Sequence, residues 1–226
     1  MTAVLITGTD TRIGKTWVAR ALAHSLAAAG RRVVAVKPVE TGCQDPVAPD
    51  EDGVLLAAAT GQAQPRQALV RLAAPVIPAL GAEREGVAID LDTIVLQIEE
   101  LAVGADVLIL EGVGGLLTPI TWEWTVVDLA RAVGAVVLLV APDRRGVVNH
   151  AQLTLSALEL AGLPVAGVVV TMPEKPDPST GTAAEAIARL SGLEQVLELP
   201  RTSDPAAAAE FLNPVLAWLE QPETTG

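Results

Sequence analysis

The stretch "AVLITGTDTRIGKT" (residues 3–16) decides how this chain is read. Residues 3–7 are an apolar run of strand type. Residues 8–14 are rich in Gly and Thr, and Gly14-Lys15-Thr16 opens a helical pattern that runs over 15–29 and stops at Gly30. The usual phosphate loop is Gly, four residues, then Gly-Lys-Ser/Thr. Here Gly8 comes one position early and Thr9 takes the expected glycine site. A Gly/Thr-rich turn formed by chance is the bland alternative, and the order strand, loop, Lys-Thr, helix speaks against it. The expectation is a phosphate cradle, in which loop N–H groups face a polyphosphate. Lys15 then reaches the β- and γ-phosphates and the Thr16 hydroxyl is offered to Mg²⁺.

Outward from this stretch, strand and helix patterns alternate. Strands are expected at 32–36, 106–111, 135–141, 165–171 and 195–199. Helices are expected at 53–60, 91–103, 126–133, 148–161, 180–191 and 209–220. Residues 65–90, with Pro65, Pro75, Pro78, Gly81 and Gly86, read as mostly loop with one short helix. "PEKPDPSTG" (173–181) reads as a mobile loop. The alternation implies right-handed crossovers and one α/β domain over 1–226: a mainly parallel sheet flanked by helices, of P-loop NTPase type. Ligands in such folds bind beyond the carboxyl ends of the strands.

Composition agrees. Half the residues are apolar, while aromatics are scarce: no Tyr, one Phe and four Trp. Val, Leu, Ile and Ala must therefore build the core, as suits buried parallel strands. The net charge is −12 with no basic patch, which argues against a nucleic-acid partner. One cysteine, Cys43, excludes an intrachain disulfide. The opening apolar run is too short and lacks the basic leader of a signal peptide, and 133–141 is too short to span a bilayer. A cytoplasmic protein without membrane partners is expected.

Three lysines stand against twelve arginines: Lys15, Lys37 and Lys175. A lysine is a compact point charge where arginine is a broad fork, so the first two read as retained for chemistry. Lys37 directly follows the second strand, at the same edge as Lys15, where it can hold an anion or offset charge during phosphoryl transfer. Glu111 ends a buried strand and leads into "GVGG" (112–115), where a carboxylate can serve Mg²⁺ and the glycines admit a ligand to the backbone. Asp52 lies among Asp45, Asp50 and Glu51, so it reads equally as a metal ligand or as part of an ordinary acidic loop.

"GTDTRIGKT", "KPVETG", "LEGVGG" and "VVNHAQLT", in this order and spacing, resemble the dethiobiotin synthetase family over nearly the whole chain. The resemblance implies that 7,8-diaminononanoate, CO₂ and a nucleoside triphosphate, ATP first, are converted with Mg²⁺ to dethiobiotin. It implies Thr16, Asp52 and Glu111 as metal ligands, and Lys37 with Lys15 as catalytic groups. The nucleotide is expected against Arg12, Ile13, Gly14, Lys15, Thr16, Trp17, Asp52, Glu111, Gly112, Val113 and Gly114, and, towards the base, Thr171, Met172, Pro200, Arg201 and Thr202. Substrate contacts fall on Thr11, Lys37 and Thr41. Gly146, Val147 and Asn149 would take the substrate's carboxylate tail across a homodimer; on the residues alone, Asn149 reads equally as a helix cap.

The chain departs from the family pattern in three places. Arg12 replaces an acidic residue or glycine, and either adds charge beside the phosphates or faces solvent. Ile77-Pro78-Ala79 stands where Ser-Pro-His is common. Thr171 replaces an asparagine that reads adenine, leaving one hydroxyl for two groups, so the base is read loosely or by backbone. Two rivals share the fold. A cobyrinate-type amidoligase needs a glutaminase domain for which the chain is too short. A ParA/MinD-like ATP switch carries a signature lysine early in the loop, where this chain reads Gly8-Thr9-Asp10.

Overall fold

Strand β1 (Thr2–Gly8) is apolar on both faces because it lies in the middle of a sheet covered on both sides. It pairs in parallel with β5 (Val107–Glu111) on one side and β6 (Val136–Pro142) on the other. β2 (Val33–Val36) lies outside β5, and β7 (Val165–Thr171) and β8 (Val196–Leu199) extend the sheet beyond β6. Every pairing in this six-stranded sheet is parallel, in the order β2-β5-β1-β6-β7-β8. The computed structural model describes residues 1–202 and 204–220.

The period-2 alternation of β1 divides the core. Ala3 and Leu5 join one cluster with Ile94, Ile98, Leu129, Leu155 and Ile187, from α4 (Leu91–Leu101), α5 (Val126–Ala132), α6 (Val147–Ala161) and α7 (Ala183–Ser191). Val4 and Ile6 join the other with Val18, Leu22, Leu26 and Leu56, from α1 (Lys15–Ala28) and α2 (Asp52–Thr60). Leu212 and Val215 from the C-terminal segment complete that second layer.

The structure differs from the sequence reading in two regions. The segment after β2 and the stretch 65–90 hold a separate two-stranded parallel sheet, β3 (Val39–Thr41) and β4 (Val70–Leu72), with Glu40 opposite Arg71. Three-residue strands are too short for alternation to show, and the neighbouring Pro and Gly residues dominate the local signal. The short helix expected within 65–90 is α3 (Pro78–Glu85), with Pro78 at its first position, where the missing N–H costs nothing. The expected closing helix over 209–220 is broken. α8 (Pro205–Ala208) and a 3-10 turn (Ala209–Leu212) precede α9 (Asn213–Glu220), whose second residue, Pro214, cannot supply the N–H that continuation requires.

Gly167 in β7 shows how tightly the edge of the sheet is covered. A Cβ there would lie 2.6 Å from the Gln195 carbonyl and 2.6 Å from the Trp218 ring. Gly167→Ala is expected to destabilise the protein by about 1–3 kcal/mol through overpacking. Urea unfolding should show a lower midpoint with an unchanged slope.

Candidate active site

The parallel sheet delivers its strand ends to one edge. β1 hands over at Gly8 to the loop 9–14, β2 to Lys37, β5 ends on Glu111 and β7 on Thr171. Val36 is the register partner of Leu110, so Lys37 and Glu111, the next residues along, emerge side by side. Gly14 occupies the cap position of α1 with φ +97°, a left-handed geometry open to glycine, and no side chain caps that helix. The first N–H groups of α1 are thus left for an anion. Arg12, with φ +57°, is the one non-glycine residue at positive φ among the described residues. An ion pair between Asp10 and Arg144 at 2.6 Å ties the loop to the connection between β6 and α6.

Beneath the loop lies a buried polar cluster. The Lys37 ammonium is 3% exposed and donates to Asp52 Oδ2 (2.7 Å), Glu111 Oε1 (2.8 Å) and the Gly112 carbonyl (3.3 Å). Its three protons are matched by three acceptors. Burial opposes the charge, but Glu111 and Asp52 outweigh it and hold the Lys37 pKa above the usual lysine range. Burial likewise works to raise Asp52, and the charge and hydrogen bond of Lys37 overcome it, leaving that carboxyl below its ordinary value. Lys15 donates to the Asp10 carbonyl at 2.9 Å. Burial, then the charge of Lys37, depress its pKa to about 8 against the opposing pull of Glu111, Asp52 and Asp10.

Thr16 Oγ1 lies 2.7 Å from Asp52 Oδ1 and 2.8 Å from Glu111 Oε1. One hydroxyl proton faces two carboxylate oxygens, and Glu111 Oε2 is buried without a partner. This all-oxygen set, with an orphaned carboxylate oxygen, fits a hard divalent cation. Glu40, Cys43 and Glu51 also bring candidate ligand atoms within 4.8 Å of one another. They are engaged otherwise: both Glu40 oxygens accept from the Asp52 and Gly53 amides, and Glu51 accepts from Arg71, Gln44 and Ala48. Burial pushes the Cys43 thiol up to about 11, away from thiolate chemistry.

Two cavities adjoin the loop. One, of about 260 Å³, gathers Thr11, Arg12, Gly14, Lys15, Thr16, Lys37, Thr41, Asp52, Glu111, Val113 and Gly114. The other, of about 460 Å³, is lined by Arg12, Ile13, Gly14, Trp17, Thr171, Met172, Pro200, Arg201 and Thr202. Arg12 borders both. Gly112 lines neither and meets the site through its carbonyl. Ser203, next to Thr202, lies outside the described residues.

Gly146, Val147 and Asn149 stand apart from both cavities. The cap of α6 is Gly146 at φ +85°, not Asn149, because the helix starts at Val147 and places Asn149 inside its first turn, exposed. Val147 is buried in the core, and its N–H donates to the Arg144 carbonyl. The Thr171 hydroxyl donates to the Ile13 carbonyl at 2.9 Å, which commits the proton that base reading would need. The segment 173–181 carries local turn bonds from Ser179 to Asp177, and its last residue, Gly181, donates to buried Asp143 at 2.6 Å.

Glu40 is a site-edge residue that sequence reasoning passed over. Glu40 borders the smaller cavity between Lys37 and Thr41. Its one signal was an acidic residue inside a motif already assigned to the site.

A lysine-bearing loop between a buried parallel strand and an uncapped helix, facing two carboxylates, places the protein in the P-loop NTPase class. Solved structures bear out that fold: MinD in the MinC:MinD complex of Aquifex aeolicus matches with a TM-score of 0.58 at 13% identity, covering 98% of this chain and 95% of that one. A ParA family ATPase from Chlorobium tepidum matches at 0.56 and 12%, covering 97% and 99%. Residues 2–209 match the AAA domain family. The ATP-dependent dethiobiotin synthetase BioD of Anaeromyxobacter dehalogenans (strain 2CP-C) is 42% identical, covering 96% of this chain and 98% of the relative. That of Nitrosospira multiformis is 41% identical, covering 86% and 84%. The chain belongs to the dethiobiotin synthetase family.

The Lys15 value has a definite sign. Between about 8 in the folded chain and the ordinary 10.5, the unfolded chain holds more protons, so the nucleotide-free protein gains stability from this group as pH rises through that interval. A polyphosphate placed beside Lys15 would favour the ammonium. Binding of ATP at pH 8.5 should therefore take up a fraction of a proton, measured by calorimetry in buffers of different ionisation enthalpy, and Lys15→Met should abolish the uptake.

Proposed function

We propose that residues 1–226 act as one domain that carboxylates 7,8-diaminononanoate with CO₂ and closes the ureido ring of dethiobiotin, at the expense of ATP. The observation that carries this reading is the buried Lys37 ammonium, set with Lys15 and two carboxylates in the wall of the smaller cavity. Family membership supplies the substrate class. One substrate amine adds to CO₂ and loses a proton to become a carbamate. A carbamate oxygen then attacks the γ-phosphorus, and ADP leaves. The second amine attacks the carbonyl carbon of this mixed anhydride, loses a proton and expels phosphate.

Each step needs anions held in line and charge offset more than it needs a protein nucleophile. Lys15 and the N–H groups that open α1 hold the phosphates. Lys37, kept protonated by its carboxylate partners, faces the carbamate and the phosphoryl group in flight. Thr11 and Thr41 border the space left for the diamine. Thr16, Asp52 and Glu111 would hold Mg²⁺, which when bound supplies charge neutralisation to the β- and γ-phosphates. The larger cavity takes the nucleoside, with Trp17, Pro142 and Pro200 as apolar walls.

Gly146 and Asn149 are exposed at the start of α6, away from both cavities, as suits residues that serve a second copy's substrate tail. We therefore take the working form to be a homodimer. No helix among the described residues is long and apolar enough to cross a membrane, in line with a cytoplasmic enzyme. The ATP-switch alternative has the fold in its favour, but the sequence relatives carry a ligase name over almost the full chain.

The deciding test is phosphate release from MgATP and bicarbonate with and without the diamine. Release should depend on the diamine and yield dethiobiotin; indifference to it would sink the substrate assignment. Lys37→Ala should lower kcat by about 10²–10³ while ATP binding is retained, as for loss of one preorganised charge donor. Because Thr171 is committed to the loop, ATP should exceed CTP and GTP in kcat/KM by less than about 200-fold, the range for sites without dedicated hydrogen bonds to the discriminating groups. Asn149→Ala should raise the diamine KM and leave kcat nearly unchanged.

A further inference from the structure

The two N–H groups that begin α2 belong to Asp52 and Gly53, and such groups have no partner within their own helix. Both point at one side chain. Glu40, 7% exposed and carried on β3, accepts from the Asp52 amide at 2.6 Å and from the Gly53 amide at 3.0 Å. The carboxylate also lies at the positive end of the helix dipole. The other side of the turn is blocked, since a Cβ on Gly53 would stand 2.2 Å from the Ala68 nitrogen. Arg71, opposite Glu40 on β4, grips Glu51, the residue just before the helix, through Oε1 at 2.7 Å and Oε2 at 2.8 Å. The small second sheet therefore clasps the start of α2 at adjacent positions. From that turn the Asp52 side chain reaches Thr16 and Lys37.

We infer that Glu40 is a positioning residue for the divalent-cation site: by holding the first turn of α2 it fixes Asp52 towards Thr16 and Glu111. This rests on the proposed role of Asp52 as a metal ligand. Glu40 borders the cavity, yet both of its oxygens are occupied by backbone amides, so it acts through Asp52 and not on substrate. Its contribution falls on cation affinity, whereas nucleotide binding without metal depends on α1 and the larger cavity.

The test uses the full chain saturated with ADP, with Mn²⁺ as the probe and free ion read by electron paramagnetic resonance. Glu40→Gln keeps the size of the side chain but loses the charge and one acceptor. It should weaken Mn²⁺ binding by about 10- to 100-fold, the range for lost outer partners of metal ligands. ADP affinity in EDTA should stay at the wild-type value. Unchanged Mn²⁺ affinity would overturn the inference, as would a parallel loss in EDTA, which would mean general loosening. Asp52→Asn separates the two levels of the argument: if it binds Mn²⁺ as tightly as wild type, the metal-ligand reading itself fails. Should Glu40→Gln not fold, hydrogen exchange on the wild type decides. Slow exchange at Asp52 and Gly53, amides without helical partners, supports the clamp, and exchange at unprotected rates overturns it.

Discussion

The Lys37 ammonium is the constraint on which the rest of the site depends. It is buried beneath the loop with Asp52, Glu111 and the Gly112 carbonyl around it. A buried charge without partners costs several kcal/mol, roughly the desolvation penalty of one ion, so the arrangement stands only if every partner arrives in place. Each comes from a different element: Lys37 from the end of β2, Glu111 from the end of β5, Asp52 from the start of α2, with Thr16 from α1 alongside. The pairing need not stabilise the fold as a whole. A shift of any one element would leave a charge unpaired.

The two cavities differ in the chemistry of their walls. The smaller is dense in charge, with Lys15, Lys37, Asp52 and Glu111 in its lining. The larger is walled by Trp17, Met172 and prolines, and its nearest hydroxyl, on Thr171, is spent on tying β7 to the loop. The same strand–loop–helix frame serves MinD and ParA proteins at 12–13% identity, so the frame alone does not specify a reaction. On that frame this chain sets Lys37 among two carboxylates, where the proposed chemistry would fall.

How much was legible depended on the length of the signal. β1, its loop and α1 were readable because a seven-residue buried strand, a glycine turn and a fourteen-residue helix each leave their own period in the sequence. Lys37, just past one strand, and Glu111, the last residue of another, were readable from those positions. Asp52 was ambiguous because its acidic neighbours look alike in sequence; Lys37 and Thr16 distinguish it only in space. β3 and β4 were invisible at three residues each, and with them the clasp of Glu40 and Arg71 on α2. The closing helix was overextended because its apolar pattern continues through a break that Pro214 imposes. The alternative reading of Asn149 as a cap fails because α6 begins at Val147, with Gly146 in the cap position.

The sequence by itself determined the parallel sheet, the phosphate loop, the family and most of the residues around the smaller cavity. These follow from local periodicity, from turn chemistry and from the order of short motifs along the chain. Tertiary structure alone decided which carboxylates meet Lys37, that Arg12 borders both cavities, that Thr171 is committed to Ile13, and that Glu40 holds the start of α2. Those are contacts between residues 12 to 158 positions apart in the chain. No local preference encodes them; they exist because parallel strands bring their carboxyl ends to one edge, where buried charges must find partners or leave the fold unstable.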